Sequence, residues 1–449
     1  MVKKFDPDTY LQSHPDPEIA LRLRQQMDEI SVLIEKMNAR EQSGNKVIVM
    51  AAMMFLTGSF AYSLYQFSDV NTSFTSSLPS LFGFLDYSKA RAVLCALAKY
   101  DMLPVDYGSE DPYLIRTIYG GSRHPKTRPI RVCIPVGLSA GLDVDCEGPS
   151  AFGKLGFGSV DVGIVSIDPS PGVASDNVEL FSNSLISPKE RRDSSEGLDV
   201  VAARYCDAID ARDSDLLARN TVTGITIEVT DATHVDRIFA KSRLIGRADY
   251  ISLDVTSCSE EAMVSVVKHV DECTAKQQSI PLVFLKVNLA QSLPPSKALV
   301  DAITASSAVI GVNVNGTGLA AGSNKQITKF DTHGKDIHVA GLIVKEKSTE
   351  AVGEWYKALG RGTGGKEIFA SGGIASGKDA LAKIEAGASM VNVFSSFLYD
   401  GFHVARRIKT QLSVQFMNKG YYVLEEAIGS NHRQTSQRLK QSMKRRKKF

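Results

Sequence analysis

From about residue 130 onward, short apolar runs rich in β-branched residues alternate with helical stretches, and they do so eight times. The runs are VCIPVGLSA (132–140), SVDVGIVS (159–166), GITIEVT (224–230), YISLDVTS (250–257), LVFLKVN (282–288), AVIGVNVN (308–315), EIFASGG (367–373) and MVNVFSS (390–396). Several are nearly free of polar residues, as strands buried on both faces must be. Strands separated by helices favour a parallel sheet. Eight of them over this length predict an α/β chain with a (β/α)8 barrel, and a doubly wound open sheet is the alternative.

Polar residues cluster where these runs end: Ser139, Ser166, Ser257, Lys286, Asn313, Gly373 and Ser395. In a barrel that is the C-terminal face, where active sites form. The fourth run ends in a dense group, with Asp254 followed by Thr256, Ser257, Cys258 and Ser259.

The stretch 367–401 is the most specific. Strand seven ends in Gly372-Gly373, SGKDALAKIEAG (376–387) reads as a helix, and strand eight ends in Phe394-Ser395-Ser396. Glycines let backbone N–H groups approach an anion, and a helix N-terminus adds a favourable dipole. Loops after strands seven and eight are the usual barrel phosphate site. By contrast, GRGTGGKE (360–367) only mimics a phosphate-binding P-loop: it ends in Glu367 where a hydroxyl is needed, and it precedes a strand.

The chain has 449 residues and a formal charge of +2, so no strong global field points to nucleic acid. Six cysteines without metal-type spacing read as reduced, mostly buried thiols, and no metal site is expected. Residues 47–67 carry no charge, and twenty-one residues at helical rise span about 30 Å, a bilayer core. A transmembrane helix is expected there, with a buried core helix as the alternative. Seven Lys/Arg precede it and none follows until Lys89, which leaves the N-terminus on the negative side and sends the large domain across. Residues 1–46 form a polar extension whose 17–42 stretch shows one apolar helical stripe, suited to a partner helix or a membrane surface. Residues 75–106 read as an amphipathic helix pair, 107–430 as the barrel, and 431–449 as a basic tail, either solvated or facing anionic lipid.

With these motifs in order, the chain resembles the class 2 dihydroorotate dehydrogenases, the membrane-bound, quinone-linked family. The resemblance runs over roughly 47–433 and rests on LPSLFGFLD, PVGLSAGLD, FGKLGFGSVDVG, ADYISLDVTS, the Lys286 strand, GGIASGKDALAKIEAGAS and AIGSNHR. It implies an FMN-containing barrel that oxidises dihydroorotate to orotate and passes electrons to ubiquinone. It also implies a mitochondrial inner-membrane location, single-pass, with the barrel on the intermembrane-space side. By the same resemblance Ser257 falls on the catalytic base and Lys286 on the lysine beside the flavin ring. Asn313 falls on a flavin- and substrate-binding asparagine. Ala140, Gly141, Ser166, Gly341, Gly372, Gly373, Phe394 and Ser395 fall on flavin or phosphate contacts.

The departures from the family are concentrated at the substrate. Val144 stands at a lysine position, Asp254 at the asparagine that opens the catalytic loop, and Cys258 and Ser259 at a proline and a second asparagine. Thr226 replaces a further asparagine, and the family's FNS segment aligns with Asp193-Ser194-Ser195. On the quinone side, Glu179, Ala90 and Phe394 stand at arginine, histidine and tyrosine positions. Orotate is an anion with urea-like edges and wants amides and a cation. Three readings follow: an active dehydrogenase, a catalytically degenerate structural subunit of an inner-membrane complex with partners on the 17–42 helix, and an FMN enzyme with a less anionic substrate.

Overall fold

All eight apolar runs become parallel strands: β1 (Val136–Leu138), β2 (Ser159–Val165), β3 (Val222–Glu228), β4 (Tyr250–Asp254), β5 (Leu282–Val287), β6 (Val309–Val314), β7 (Glu367–Ser371) and β8 (Met390–Val393). Each pairs with the next, and Val391–Val393 of β8 pair with Val136–Leu138 of β1, so the sheet closes into a barrel. That closure removes the open-sheet alternative. The computed structural model describes residues 87–433 apart from 109, 121–124, 174–178, 182–183, 189–192, 321–336 and 361–365, together with positions 28, 29, 32, 57, 59, 62 and 68–70.

The strands are apolar on both faces because both faces are covered. Every residue of β4, β5, β6, β7 and β8 is buried. The crossover helices supply the outer cover. The helix Glu260–Thr274 shows how sequence sets one of them. Ser259 caps it, its Oγ accepting from Ala262 N at 3.3 Å, and Glu260 and Glu261 occupy the first turn, where the dipole favours acids. Met263, Val266, Val267 and Val270 then fall on one buried face at three- and four-residue spacing. Two of the four residues after Val255 are thus structural: Ser259 is a cap, and Cys258 Sγ donates to Val229 O at 3.0 Å.

Below the barrel, a short hairpin, Arg116–Ile118 with Ile130–Val132, closes the N-terminal end. Its Ile118, Ile130 and Val132 join Tyr250, Phe284 and Phe369 in a separate apolar cluster. The three rings pack with centroids 4.2–5.9 Å apart, each pair contributing about 0.5–1.5 kcal/mol beyond its area. Arg116 adds a bidentate pair to Glu367 at 2.8 Å on both arms.

At the opposite end, the segments after β2 and β6 form a four-stranded antiparallel sheet from Glu179–Phe181, Ser184–Pro188, Gly318–Ala320 and Ile337–Gly341. The hydropathy pattern does not announce strands of three to five residues inside long connections.

All six cysteines are free. Of the expected helix pair at 75–106, the structure describes one helix, Tyr87–Lys99, which buries Tyr87, Ala90, Leu94, Cys95 and Ala98. Among the described residues no helix is long and apolar enough to cross a membrane. The expected transmembrane segment 47–67 lies outside the described residues except for positions 57, 59 and 62, as do most of 17–42 and of the basic tail.

Candidate active site at the barrel mouth

A cavity of about 900 Å³ opens at the C-terminal ends of the strands. It gathers Ser257 together with Ala140, Gly141, Ser166, Lys286, Gly341, Gly372, Gly373, Phe394 and Ser395. Ten of the eleven residues singled out from sequence share this one wall.

Asn313 is the exception. Its side chain lies inside the barrel, donating to Ser252 Oγ at 3.4 Å, and it does not line the cavity. The asparagine on the wall is Asn315, just beyond the end of β6, with its N–H bonded to Val287 O at 2.7 Å. Asn315 lies two residues further along the chain than Asn313, at the C-terminal end of the barrel where the mouth opens.

The glycine end is built from backbone that ordinary residues avoid. Gly341, Gly372 and Gly373 have φ of +91°, +96° and +69°. Ser395 and Ser396 open the helix Ser395–Asp400 directly after β8, where first-turn N–H groups have no partner inside the helix. Gly141, at φ +118°, lies against the Phe394 ring, and Tyr87 Oη donates to Gly141 O at 3.3 Å, so the helix Tyr87–Lys99 is tied to the rim.

On the other side stands the loop after β4. Asn288 Nδ2 donates to Thr256 O at 3.3 Å, and Gln291 Nε2 donates to Val255 O at 3.1 Å, which frames the loop from β5. Ser257 itself is exposed, and no side-chain hydrogen bond to it is found among the described residues. Asp254 is held by Thr256 N at 3.1 Å and Thr256 Oγ1 at 2.6 Å, and its other oxygen lies 3.2 Å from Lys286 Nζ. Register explains that pair, since Asp254 and Lys286 are opposite each other on β4 and β5. Val144, at the expected lysine position, is buried and apolar.

Beneath this floor lies Asp161 of β2, accepting from Thr226 Oγ1 at 2.9 Å. Burial pushes its carboxyl up to about 6, although Lys286 and Thr226 pull the other way. Asp143 is likewise pushed up to about 6 by burial, against two backbone N–H donors from Glu147 and Gly148.

Several site groups were not singled out from sequence: Asn288, Asn315, Asp161 and Asn392. Asn392 is the most informative. It is 1% exposed, lines the cavity, and among the described residues neither its Nδ2 nor its Oδ1 has a partner. Buried amides are normally satisfied, so this one is suited to a ligand with donor and acceptor edges. Elsewhere, on the surface, Asp236, His269 and Cys273 bring ligand-type atoms within 4.8 Å of one another. The signal was His269 and Cys273 four apart on one helix. Asp236 already engages both, and it raises the His269 pKa.

The family model for dihydroorotate dehydrogenase matches residues 126–416. The chain belongs to the dihydroorotate dehydrogenase family. It is 27% identical over 367 residues to the dihydroorotate dehydrogenase (quinone) of Xanthobacter autotrophicus, covering 78% of this chain and 97% of that one. It is 30% identical to the quinone enzyme of Erythrobacter litoralis over 68% of this chain and 87% of that one. Against the mitochondrial dihydroorotate dehydrogenase (quinone) of Mus musculus, identity is 27%, over 67% of this chain and 77% of the mouse chain. Among solved structures, the dihydroorotate dehydrogenase of Eimeria tenella in complex with ferulenol superposes with a TM-score of 0.67 at 26% identity, covering 78% of this chain and 96% of that one. As a dihydroorotate dehydrogenase homologue, the chain therefore shares the barrel over most of its length and keeps about a quarter of the residues.

Proposed function

We propose that this chain binds FMN at the barrel mouth and performs the family reaction, oxidation of dihydroorotate to orotate with a quinone as final acceptor. The observation that carries this reading is convergence: Ser257, Lys286 and the glycine-rich anion end share one cavity. Gly341, Gly372, Gly373 and Ser395 would hold the phosphate, while Ala140, Gly141, Ser166, Lys286 and Phe394 would flank the ring system. Bound there, FMN supplies hydride acceptance. The protein's own part is to position the ring substrate and to take a proton from its carbon at Ser257 Oγ. A serine is a weak base, so it needs a hydrogen-bonded environment and shelter from bulk water.

A second reading is favoured by one observation. Among the described residues Ser257 is exposed without a side-chain partner, and Lys286 is already ion-paired with Asp254. That pattern fits a member whose catalysis has decayed and whose barrel serves as a structural subunit of a mitochondrial inner-membrane complex. The mitochondrial name of the mouse relative and the uncharged 47–67 segment support an inner-membrane anchor under either reading, with the barrel in the intermembrane space. Partners are then lipid, quinone and, through the 17–42 helix, protein.

The deciding experiment is the visible spectrum of the detergent-purified protein. Flavin absorbance that dihydroorotate bleaches, and that fails to bleach after Ser257→Ala, supports the first reading. Flavin that dihydroorotate leaves unbleached supports the second, and a colourless protein removes FMN from both.

A further inference from the structure

The helix Gly377–Ala386 carries a lysine that the chemistry above does not use. Lys383 is 0% exposed, and Ser348, on the neighbouring helix Lys345–Ala358, is as deeply buried. Lys383 Nζ donates to Ser348 Oγ at 2.5 Å and to Thr349 Oγ1 at 3.3 Å. Ser348 Oγ in turn has two carbonyls in reach, Gly372 O at 3.0 Å and Lys345 O at 3.1 Å. Thr349 Oγ1 already donates to Lys345 O at 2.8 Å, which leaves Gly372 O as the carbonyl in need of the Ser348 hydrogen. A buried ammonium is thus wired, through one hydroxyl, to the glycine turn of the anion end.

The chemistry of these groups gives the wire a direction. An ammonium has donors and no acceptor, so the hydroxyl beside it must accept and can send its one hydrogen only onward. A neutral amine has a lone pair and can take that hydrogen itself. The Gly372–Gly373 peptide is trans, so its C=O and N–H point opposite ways. Holding Gly372 O toward the buried Ser348 therefore turns the Gly373 N–H to the other side, where the two glycines line the cavity.

We infer that Lys383 is a positioning residue for anion binding: its ammonium, acting through Ser348, fixes the Gly372–Gly373 peptide with the N–H presented to the cavity, and the grip loosens when the lysine loses its proton. This deepens the functional reading above, on which it rests for the place of the phosphate. Burial lowers the Lys383 pKa to about 7; Asp379, one turn earlier on the same helix, opposes that, and Lys345 adds to it. Asp379 and Lys345 are themselves paired. The charges on the other helices packed here are engaged elsewhere: Lys409 with Asp106, Lys419 with Glu385, and Glu425 with Arg116. Lys383 therefore changes charge near neutral pH. A bound anion favours its charged form and holds the proton to higher pH.

The test uses the full chain in detergent, stripped of flavin, with calorimetric titration of sodium sulfate at fixed ionic strength. Sulfate keeps its charge between about pH 6 and pH 8.5, so a change in affinity over that range belongs to the protein. At about pH 6 the wild type is expected to bind sulfate about 10-fold more tightly than Lys383→Met, and at about pH 8.5 within about twofold. His338 also lines the cavity, but both proteins carry it, so the ratio isolates Lys383. Ser348→Ala keeps the ammonium and cuts the link. It should show the same falling ratio, and it decides alone if Lys383→Met does not fold. A wild-type-to-variant ratio that pH leaves unchanged overturns the inference, because a merely structural lysine would weaken binding alike at both ends. So does sulfate bound equally by all three proteins, or by none. FMN, titrated on the same samples by quenching of its fluorescence, reports separately. A protein with the sulfate profile that takes up no FMN keeps this inference and sinks the FMN reading; one that takes up FMN with a ratio indifferent to pH does the reverse.

Discussion

Gly316 and Gly372 meet backbone to backbone at the barrel mouth. A Cβ on Gly372 would stand 2.6 Å from Gly316 Cα, and one on Gly316 would stand 2.3 Å from Gly372 Cα. Gly316 N donates to Ser371 Oγ at 3.1 Å, which locks the loops after β6 and β7 together. Gly372 also has φ of +96°, so alanine there is strained twice over. Gly372→Ala is therefore expected to lower bound FMN at least about 10-fold, with the far-ultraviolet circular dichroism unchanged. Equilibrium dialysis against FMN checks this; full retention would show that the loop contact is irrelevant to the anion end.

The buried Asp161 gives stability a pH signature. Its carboxyl is raised from 3.8 to about 6, so the folded state holds the proton more tightly than the unfolded chain. Its contribution is present below about pH 4 and is lost as pH rises through 6, by on the order of 2–3 kcal/mol. Asp161→Asn removes that slope. The melting temperature of the variant relative to wild type should climb between pH 4 and pH 7. A constant difference across that range would contradict it.

Arg212 binds four neighbours at once, among them the adjacent Asp213 at 2.8 Å. It donates to Thr221 O and Thr223 Oγ1, both at 3.2 Å, and it pairs with Asp249, whose carboxylate also accepts Thr223 N at 2.8 Å. The arginine side chain is 8% exposed. Truncation to alanine would leave a half-buried carboxylate without its cation, at a cost of about 3 kcal/mol. Urea denaturation of Arg212→Ala measures it; a loss under about 1 kcal/mol would mean water replaces the guanidinium.

Phe284 sits at the centre of the lower aromatic layer, 4.2 Å from Phe369 and 5.9 Å from Tyr250 by ring centroid. Phe284→Ala should destabilise by about 3–5 kcal/mol while sparing ligand binding in the fraction that remains folded. Thermal melts paired with flavin titration separate the two effects.

Sequence alone carried the barrel because parallel strands buried on both faces are mostly apolar and β-branched, and eight such runs alternating with helices leave little choice. It located the glycine end because backbone geometry there demands glycine itself. Side-chain partnerships were less legible. Asn313 and Asn315 differ by two positions, and only the folded barrel shows that the first bonds Ser252 while the second lines the mouth. Ser259 and Cys258 looked like substitutions in a catalytic loop, yet one caps a helix and the other bonds a neighbouring carbonyl. The Asp254–Lys286 pair depends on register between β4 and β5, which no local pattern encodes. The antiparallel sheet above the mouth joins segments about 150 residues apart, beyond any window of periodicity.

The hairpin beneath the barrel stoppers its base, so the barrel is open only at the mouth described above. A ligand that reaches its floor must therefore arrive and depart over the rim, and two that need the same contacts cannot be seated there together.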